Sequence, residues 1–209
     1  MPVDLVELLD PAWTAVVTSE CQNGVIGAES VLPELAAAAR ATVLPHGARI
    51  VAAARAAGIP VLHGVAGRRP DGRGSNRNAR LFAAMARFQL DLGGTATDVV
   101  AEFDRQPSDF LLSRVHGLNP MAGTDLDSLL RNLGVRTLVV IGVSVNIAIT
   151  SLVMDAVNAG YQVVLPRDAV AGVPAAYAEA VIERTLGLLA SVVRTDDVLS
   201  AWALGSTQT

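Results

Sequence analysis

The stretch that decides the fold runs from residue 136 to residue 170 and reads RTLVVIGVSVNIAITSLVMDAVNAGYQVVLPRDAV. Residues 136–143 and 161–170 are β-branched runs of strand length, and their continuous apolarity predicts strands covered on both faces. Residues 146–160 between them have a helical pattern that ends in Gly160, a common helix stop. The order of strand, helix and strand predicts a parallel βαβ unit.

The same alternation extends toward the N-terminus. Strands are predicted at 14–20, 59–65 and 109–115, with helical patterns at 33–58 and 124–134. A further helix is predicted after the last strand. This order predicts an α/β fold, a three-layer α/β/α sandwich with a mainly parallel central sheet and helices on both faces.

The size of the chain favours one domain. At 209 residues it is long for one minimal domain and short for two, so we predict a single domain over 1–209. Residues 66–79 are predicted to be the least structured part. Apolar residues make up 51% of the chain and aromatic residues 4%. This composition suits a buried parallel sheet and a subunit that hides surface, so we predict a homodimer or higher homo-oligomer.

The charge and hydropathy of the chain limit the classes of partner that it is expected to bind. The net charge of −4 comes without a basic block, which argues against nucleic-acid binding. No run of about 18 apolar residues is present, and the N-terminal MPVDLVELLD is acidic, so we predict a cytoplasmic protein without signal peptide or membrane contact. We expect the partner to be a small-molecule substrate.

The content of cysteine, histidine and lysine limits the chemistry. One cysteine cannot form an internal disulfide, and His46, His63 and His116 lack a paired metal-ligand spacing, so no metal and no cofactor is predicted. The sequence contains no lysine, and all 16 basic residues are arginine. A lysine general base or Schiff base is therefore excluded.

Ligands of such sheets bind beyond the carboxyl ends of the strands. The residues at the predicted strand ends are 20–23, 63–66, 114–116 and 142–148. We expect the functional site among them.

Two segments carry a family resemblance. AVVTSECQNGVIG, residues 15–27, resembles the strand and turn of isochorismatase-like hydrolases, where hydrophobic residues precede D-x-Q-N-D-F. Residues 136–172 are similar to the family pattern G-V-x-T-x-x-C-V-x-x-T-A-x-D-A-x-x-x-G-Y-x-V-x-V-x-x-D-A. The resemblance spans about residues 13–195 and implies the family's α/β fold and a hydrolase.

The cysteine-hydrolase branch of that family uses an Asp, a Lys and a Cys. The resemblance places these positions at Glu20, Arg114 and Ala148, none of which matches; Val115 is the ungapped alternative to Arg114. Alanine has no atom that attacks a carbonyl, so the covalent thioester route lacks its nucleophile. Arginine could hold an anionic or carbonyl oxygen but could not relay a proton.

The family's second branch, the isochorismatases themselves, carries Gly in place of the cysteine and hydrolyses a vinyl ether with the Asp as general acid. Glu20 with Ala148 is similar in kind to this branch. We therefore predict hydrolysis of an enol-ether or other C–O or C–N bond in a small, anionic metabolite, with Glu20 as acid or base. The alternatives are a catalytically silent homologue that binds a metabolite or partner, and an amidase that uses Cys21.

Several side chains near the strand ends have a structural and a functional interpretation. Strand alternation turns Cys21 away from Glu20, which favours a place in the core over a relocated nucleophile. Gln22 follows the family turn, where its amide either satisfies backbone groups or contacts substrate. His63 and His116 are candidate substrate-binding residues, and a buried, hydrogen-bonded histidine is the alternative.

The turn after the strand 136–143 carries further candidates. The resemblance implies a cis peptide between Val143 and Ser144, and an oxyanion hole made by the backbone N–H groups of Ser144 and Ala148. Val143 and Ser144 are therefore candidate substrate-binding residues, and Asn146 is either an N-cap or a substrate-binding residue.

An arginine cluster falls in the segment predicted to be least structured or just after it. Its members are Arg68, Arg69, Arg73, Arg77 and Arg80. They form either a solvated loop face or a lid over an acidic substrate.

Overall fold

The computed structural model describes residues 4–88 and 90–205, and its centre is a seven-stranded sheet. The strands are β1 Thr14–Ser19, β2 Val61–Ala66, β3 Phe110–Arg114, β4 Thr137–Val143, β5 Gln162–Pro166, β6 Val170–Ala171 and β7 Ser191–Val193. Their order is β3-β2-β1-β4-β5-β7, and β6 pairs with β4. Each of these pairings is parallel, as the sequence predicts.

The helices connect and cover these strands. They are α1 Leu5–Leu8, α2 Asn23–Ile26, α3 Pro33–Ala41, α4 Val43–Ala56, α5 Arg80–Met85, α6 Leu126–Asn132, α7 Thr150–Asn158, α8 Ala175–Arg184 and α9 Thr195–Gly205. A π-helical turn, Val145–Ile149, precedes α7. Short 3-10 turns occupy Thr95–Thr97, Ala101–Phe103, Arg167–Ala169 and Leu186–Leu188.

The sheet separates two apolar cores. Val16 of β1 packs in a cluster with side chains of α4 and α9, and Val17 packs in a cluster with side chains of α6, α7 and α8. Successive residues of a strand point to opposite faces, so β1 is covered on both sides. All residues of β1 and β4 are buried. The predicted sandwich with helices on both faces is confirmed.

The single helix predicted over 33–58 is wrong, because the helix breaks at Thr42. Thr42 has φ −126° and ψ −67°, outside the helical range, and separates α3 from α4. Proline in a continuous helix would remove a backbone hydrogen bond and clash with the carbonyl four residues earlier. Restarting at Val43 places Pro45 in the first turn of α4, where it is tolerated.

The C-terminal part is more divided than the sequence predicts. The run predicted as one strand over 161–170 ends at Pro166, and a 3-10 turn separates it from β6. The chain then forms α8, the unpredicted edge strand β7 and α9 in place of one helix. Because β7 has only three residues of intermediate burial, its pattern is too short to be distinguished in the sequence.

Two further predictions concern the protein's surroundings. Within residues 4–88 and 90–205, none of the helices has both the length and the apolarity needed to cross a bilayer. The cytoplasmic location and the homo-oligomer stay predictions.

Gly142 is required where β1 and β4 meet at their carboxyl ends. Its φ is +116°, and an added Cβ would lie 2.2 Å from the carbonyl oxygen of Ser19. We expect Gly142→Ala to lower the free energy of unfolding by about 3 kcal/mol or more, through clash and backbone strain. Urea unfolding followed by circular dichroism measures the loss.

Gly134→Ala is the matched control. Gly134 also has a positive φ, +72°, but an added Cβ would meet no heavy atom within 4 Å. Its substitution should cost only the backbone strain, about 1 kcal/mol. Equal losses in the two variants would contradict the close approach at Gly142.

Candidate active site

A cavity of about 520 Å³ opens at the carboxyl ends of β1, β3 and β4. Glu20 lies directly after β1, Arg114 is the last residue of β3, and Ala148 lies in the turn after β4. All three line the cavity, as do His116 and Ser144. The volume is that of ordinary small-molecule sites. Parallel strands bring their carboxyl ends to one edge, which is where the sequence predicts the site.

Glu20 turns into this cavity because β1 ends at Ser19. Its φ is +55°, a left-handed conformation that is uncommon for residues other than glycine. Its backbone N–H still donates to the carbonyl of Gly64, 2.8 Å away. The Glu20 carboxylate accepts a hydrogen bond from Nη2 of Arg114. Burial raises the pKa of Glu20 above the ordinary glutamate value, although the charge of Arg114 opposes this shift.

Arg114 reaches Glu20 from the end of β3, the edge strand that is separated from β1 by β2. It is 5% exposed, and its Nη2 also donates to the carbonyl of Leu118 at 3.2 Å. Its Nε is buried and has no hydrogen-bond partner among the described residues. Val115, the ungapped alternative, lines the cavity too, but it has no charge to set against Glu20. The guanidinium is thus available for electrostatic work beside the carboxyl, and its catalytic role stays a prediction.

The turn after β4 has the shape that the family resemblance implies. The peptide bond between Val143 and Ser144 is cis. Ser144 and Ala148 both line the cavity, and the Ser144 carbonyl accepts from the N–H of Ile149 at 3.0 Å. The oxyanion role of the Ser144 and Ala148 N–H groups stays a prediction.

Cys21 belongs to the core. It is 1% exposed, packs in the cluster with α4 and α9, and is not among the residues that line the cavity. Its thiol donates to the carbonyl of Ser19 at 3.6 Å. Burial and the nearby Glu20 raise the pKa of the thiol well above its ordinary value. Thiolate is the reactive form of cysteine, so we expect this residue to be unreactive in the folded protein.

The side-chain amide of Gln22 is hydrogen-bonded to backbone groups. Nε2 donates to the carbonyls of Ala66 and Ala96, and Oε1 accepts from the N–H of Ala66 at 2.7 Å. These contacts tie the turn after β1 to two distant segments. The structural interpretation therefore applies, and we assign Gln22 no direct contact with a ligand.

Val143 and Asn146 also lie outside the cavity lining. Val143 is fully buried in the sheet. Asn146 lies within the π-helical turn and caps no helix; its Nδ2 donates to the carbonyl of Val173 at 3.3 Å. We correct the expectation of direct substrate contact for both, because their side chains pack away from the cavity.

His63, a further candidate substrate-binding residue, is also not among the residues that line the cavity. Its ring is fully buried, with Nδ1 2.9 Å from the Thr18 hydroxyl and Nε2 3.3 Å from Asp109. Asp109 also binds Arg55, at 2.6 and 3.1 Å. Burial lowers the pKa of His63 to about 4, although Asp109 opposes the shift. A neutral ring whose Nε2–H donates to Asp109 and whose Nδ1 accepts from Thr18 satisfies both contacts.

Asn119 is a supporting residue that the sequence analysis missed. Its Oδ1 accepts from the N–H groups of Met121 and Ala122, and its Nδ2 donates to Ser151 and Asp155 of α7 at 2.6 and 2.8 Å. These bonds anchor the loop after β3, which carries His116 and the carbonyl that binds Arg114. The Asn-Pro dipeptide signals a turn here but does not reveal the anchor.

The apolar wall of the cavity was also missed. It comes from α3, the residue that precedes α3, and α5, through Leu32, Leu35, Leu81, Phe82 and Met85. No strand end marks these positions in the sequence. Among the residues that the structure describes, no group of three His, Cys, Asp or Glu side chains could hold a metal ion.

Comparison with known proteins places this geometry in a family. The family model of the isochorismatase domain matches residues 14–197. The chain belongs to the isochorismatase family. The ureidoacrylate amidohydrolase RutB of Methylorubrum extorquens is 32% identical over 176 residues, which cover 76% of this chain and 71% of the relative. The family resemblance seen in the sequence is confirmed, and with it the general class of hydrolases.

Two solved members of this fold superpose over most of the chain. A cysteine hydrolase from Pseudomonas syringae pv. phaseolicola matches with a TM-score of 0.81 and 22% identity, over 98% of this chain and 96% of its own. The N-carbamoylsarcosine amidase of Thermoplasma acidophilum matches with a TM-score of 0.71 and 23% identity, over 88% and 97%. At these identities the likeness shows the fold of the isochorismatase-family chain and not its reaction.

The buried histidine predicts a pH dependence of stability. A folded pKa of about 4 against an ordinary 6.5 means that unfolded His63 binds a proton that the folded protein excludes. The stabilising contribution is present above pH 6.5 and is lost as the pH falls toward 4, up to about 3 kcal/mol. We expect the stability difference between wild type and His63→Gln to shrink by about this amount from pH 7 to pH 4. Urea unfolding at pH 7, 6, 5 and 4 measures it, and a constant difference would contradict a neutral buried ring.

Thiol labelling tests whether Cys21 is enclosed in the core and whether position 148 is open to the cavity. Native wild type should leave Cys21 unmodified by iodoacetamide, and unfolding in urea should make it reactive. Ala148→Cys places a thiol on the cavity wall and should be modified at residue 148 in the folded protein. Mass spectrometry of digested protein locates the label. Modification of Cys21 in the folded wild type would contradict its place in the core.

Proposed function

We propose that this isochorismatase-family protein hydrolyses an enol-ether or other C–O or C–N bond in a small anionic metabolite without a covalent enzyme intermediate. The observation that carries the proposal is the pairing of Glu20, a carboxyl group of raised pKa on the cavity wall, with Ala148 where the cysteine branch has its nucleophile. Among the described residues no thiol lines the cavity, since Cys21 is in the core. The amidase alternative that depends on Cys21 therefore has no support in the geometry.

Glu20 suits the role of a general acid. A carboxyl whose pKa is raised by burial keeps its proton closer to neutral pH than an ordinary glutamate does. For an enol ether, Glu20 would give this proton to the double-bond carbon, and water would add to the resulting oxocarbenium carbon. The hemiketal then loses its alcohol to leave a carbonyl compound, and a proton returns to Glu20. No step needs a nucleophilic side chain.

Arg114 supports this chemistry from beside the carboxyl. Arginine stays protonated, so it can stabilise the Glu20 carboxylate that remains after proton donation but cannot itself supply the proton. It also fixes the direction of the carboxyl through the hydrogen bond from Nη2. Positioning of this kind matters, because a misplacement of about 1 Å can cost about a hundredfold in rate.

Hydrolysis of a C–N bond is the second form of the same proposal. The relative from Methylorubrum extorquens is named a ureidoacrylate amidohydrolase, which makes C–N cleavage a reaction to assay. Here Glu20 would act as a base and take a proton from the attacking water. Arg114 and the backbone N–H groups at Ser144 and Ala148 would hold the negative oxygen of the tetrahedral intermediate, and Glu20 would return the proton to the leaving nitrogen as the C–N bond breaks.

A catalytically silent homologue is the competing function. One feature of the sequence supports it, since the resemblance places the three positions of the cysteine-branch machinery at Glu20, Arg114 and Ala148, none of which matches. Such a protein would bind its metabolite in the same cavity without turnover. Binding without product release over a panel of amides and enol ethers would support a silent binding protein and contradict the proposed hydrolase.

Replacement of Glu20 tests the proposal directly. With an enolpyruvyl ether and ureidoacrylate as assay substrates, we expect Glu20→Gln to lower kcat at least about a hundredfold, because the amide cannot transfer the proton. Cys21→Ala and the exposed Glu29→Gln should keep kcat within about twofold, since neither residue lines the cavity. Chromatography of the released product measures the rates. Normal turnover by the Glu20→Gln variant would contradict the proposal.

The pH profile distinguishes acid from base. As a general acid Glu20 must be protonated, so kcat should fall as the pH rises through its pKa, which lies above that of an ordinary glutamate. As a general base it must be ionised, so kcat should instead fall as the pH drops through the same pKa. A wild-type profile in which kcat shows no titration above the pKa of an ordinary glutamate would contradict both roles.

A further inference from the structure

We propose that the ligand of this cavity is an amphipathic carboxylate, whose anionic group is selected by Arg77 and whose apolar body packs against Phe82 and its neighbours on α3 and α5. As a statement about the substrate, the inference rests on the proposed function. As a statement about binding, it can be measured without turnover.

The charge of the cavity lining opposes that of the whole chain. The chain has a net charge of −4, but the cavity lining contains three arginines and only one glutamate. Arg114 is paired with Glu20, whereas Arg68 donates through Nη1 to a neutral partner, the carbonyl of Ala86, at 2.7 Å. The two remaining guanidinium charges, on Arg68 and Arg77, have no carboxylate partner in the lining. A cavity of this sign attracts anions.

Arg77 is the arginine best placed to choose the ligand. Among the residues that the structure describes, it has no hydrogen-bond or ion-pair partner, and it lines the cavity from the exposed side. Arg77 also borders an adjoining depression of the surface that contains Asp71 and Asp91, but Asp71 is engaged by Arg69, at 2.9 and 3.1 Å, and neither carboxylate forms an ion pair with Arg77 among the described residues. Arg77 therefore keeps its donors for a ligand, and a carboxylate can accept two of them at once.

The wall formed by α5 supplies the second half of the specificity. Leu81, Phe82 and Met85 all line the cavity, and none of them belongs to either apolar core. α5 has no buried residue of its own. A helix whose apolar side chains avoid both cores gains its contacts from what fills the cavity. Leu35 of α3 adds to the same wall.

The two features together describe one class of ligand. An anion without an apolar body would leave the α5 wall exposed to water, and an apolar molecule without an anion would leave Arg77 unpaired. An aryl or branched aliphatic carboxylate satisfies both, and the cavity volume of about 520 Å³ accommodates a molecule of this size.

Three probes separate the charge from the apolar contact. They are 3-phenylpropionate, its neutral amide 3-phenylpropanamide, and propionate, which keeps the carboxylate and lacks the ring. Isothermal titration calorimetry on the full chain at fixed ionic strength gives Kd for each. We expect 3-phenylpropionate to bind at least tenfold more tightly than either of the others. Equal affinity for the acid and its amide, or for the acid and propionate, or no binding of any probe, would overturn the assignment.

Variants locate the two contacts. Arg77→Gln should bring the acid and the amide within twofold of each other, whereas Arg73→Gln, in the same loop but outside the lining, should leave the tenfold preference. Phe82→Ala should weaken the acid and the amide alike by at least fivefold and leave propionate unchanged. Tyr177→Ala, which truncates an exposed aromatic residue outside the cavity, should change none of the three. If Arg77→Gln keeps the preference for the acid over the amide, the role of Arg77 is contradicted. If Phe82→Ala keeps the full preference for 3-phenylpropionate over propionate, the role of the α5 wall is contradicted.

These outcomes are separate from those of the proposed function. Expected probe binding together with normal turnover by Glu20→Gln would leave the ligand class standing and remove the mechanism. Loss of turnover in Glu20→Gln together with equal binding of acid and amide would do the reverse.

Discussion

The structure depends on the complete burial of β1 between two parallel neighbours. Val16 pairs with Val61 of β2 on one side and with Val139 of β4 on the other, and both faces of the strand are covered by helices. A strand enclosed in this way has water only at its ends. The chain must therefore place any polar chemistry of β1 at the carboxyl end, where Glu20 leaves the sheet in a left-handed conformation. The cavity, the turn after β4 and the end of β3 meet at the same edge for the same reason.

The electrostatics of the site follow from this burial. A carboxyl that leaves a closed sheet into a mostly apolar cavity is poorly solvated, so its pKa rises even beside Arg114. The same burial disfavours the thiolate of the adjacent Cys21 and the protonated ring of His63, which lies in the inner strand β2. These three ionisable residues lie close together but differ in their pKa shifts and in their access to the cavity. Only the carboxyl combines a shifted pKa with access to the cavity, which is why the proposed chemistry is assigned to it.

Much of the fold and part of the site could be predicted from sequence. Continuous apolar runs marked five strands, and the family pattern located Glu20, Arg114 and Ala148, which line one cavity. Strand alternation correctly turned Cys21 away from Glu20, although the reason is the backbone of Glu20, where the strand has already ended. The break at Thr42 and the short strand β7 were missed, because one proline and three residues are weak local signals.

The remaining site residues could not be assigned from the sequence because side-chain direction depends on distant partners. Gln22 and His63 lie near the predicted strand ends, as ligand-binding residues would, but their hydrogen bonds go to Ala66, Ala96, Thr18 and Asp109. Conversely, Phe82 lies far from any strand end and still lines the cavity.

The sequence by itself determined the alternation of five strands with helices, the absence of lysine and the prediction that Ala148 stands where the family's cysteine branch has its nucleophile, since these depend only on which residues are present and at what spacing. Only the tertiary structure decided that Arg114 meets Glu20 across 94 positions, that Cys21 is enclosed, and that α5 faces the cavity. Each of these depends on how separate segments pack against the sheet, and on the φ angle at Glu20, neither of which a local pattern of residues specifies.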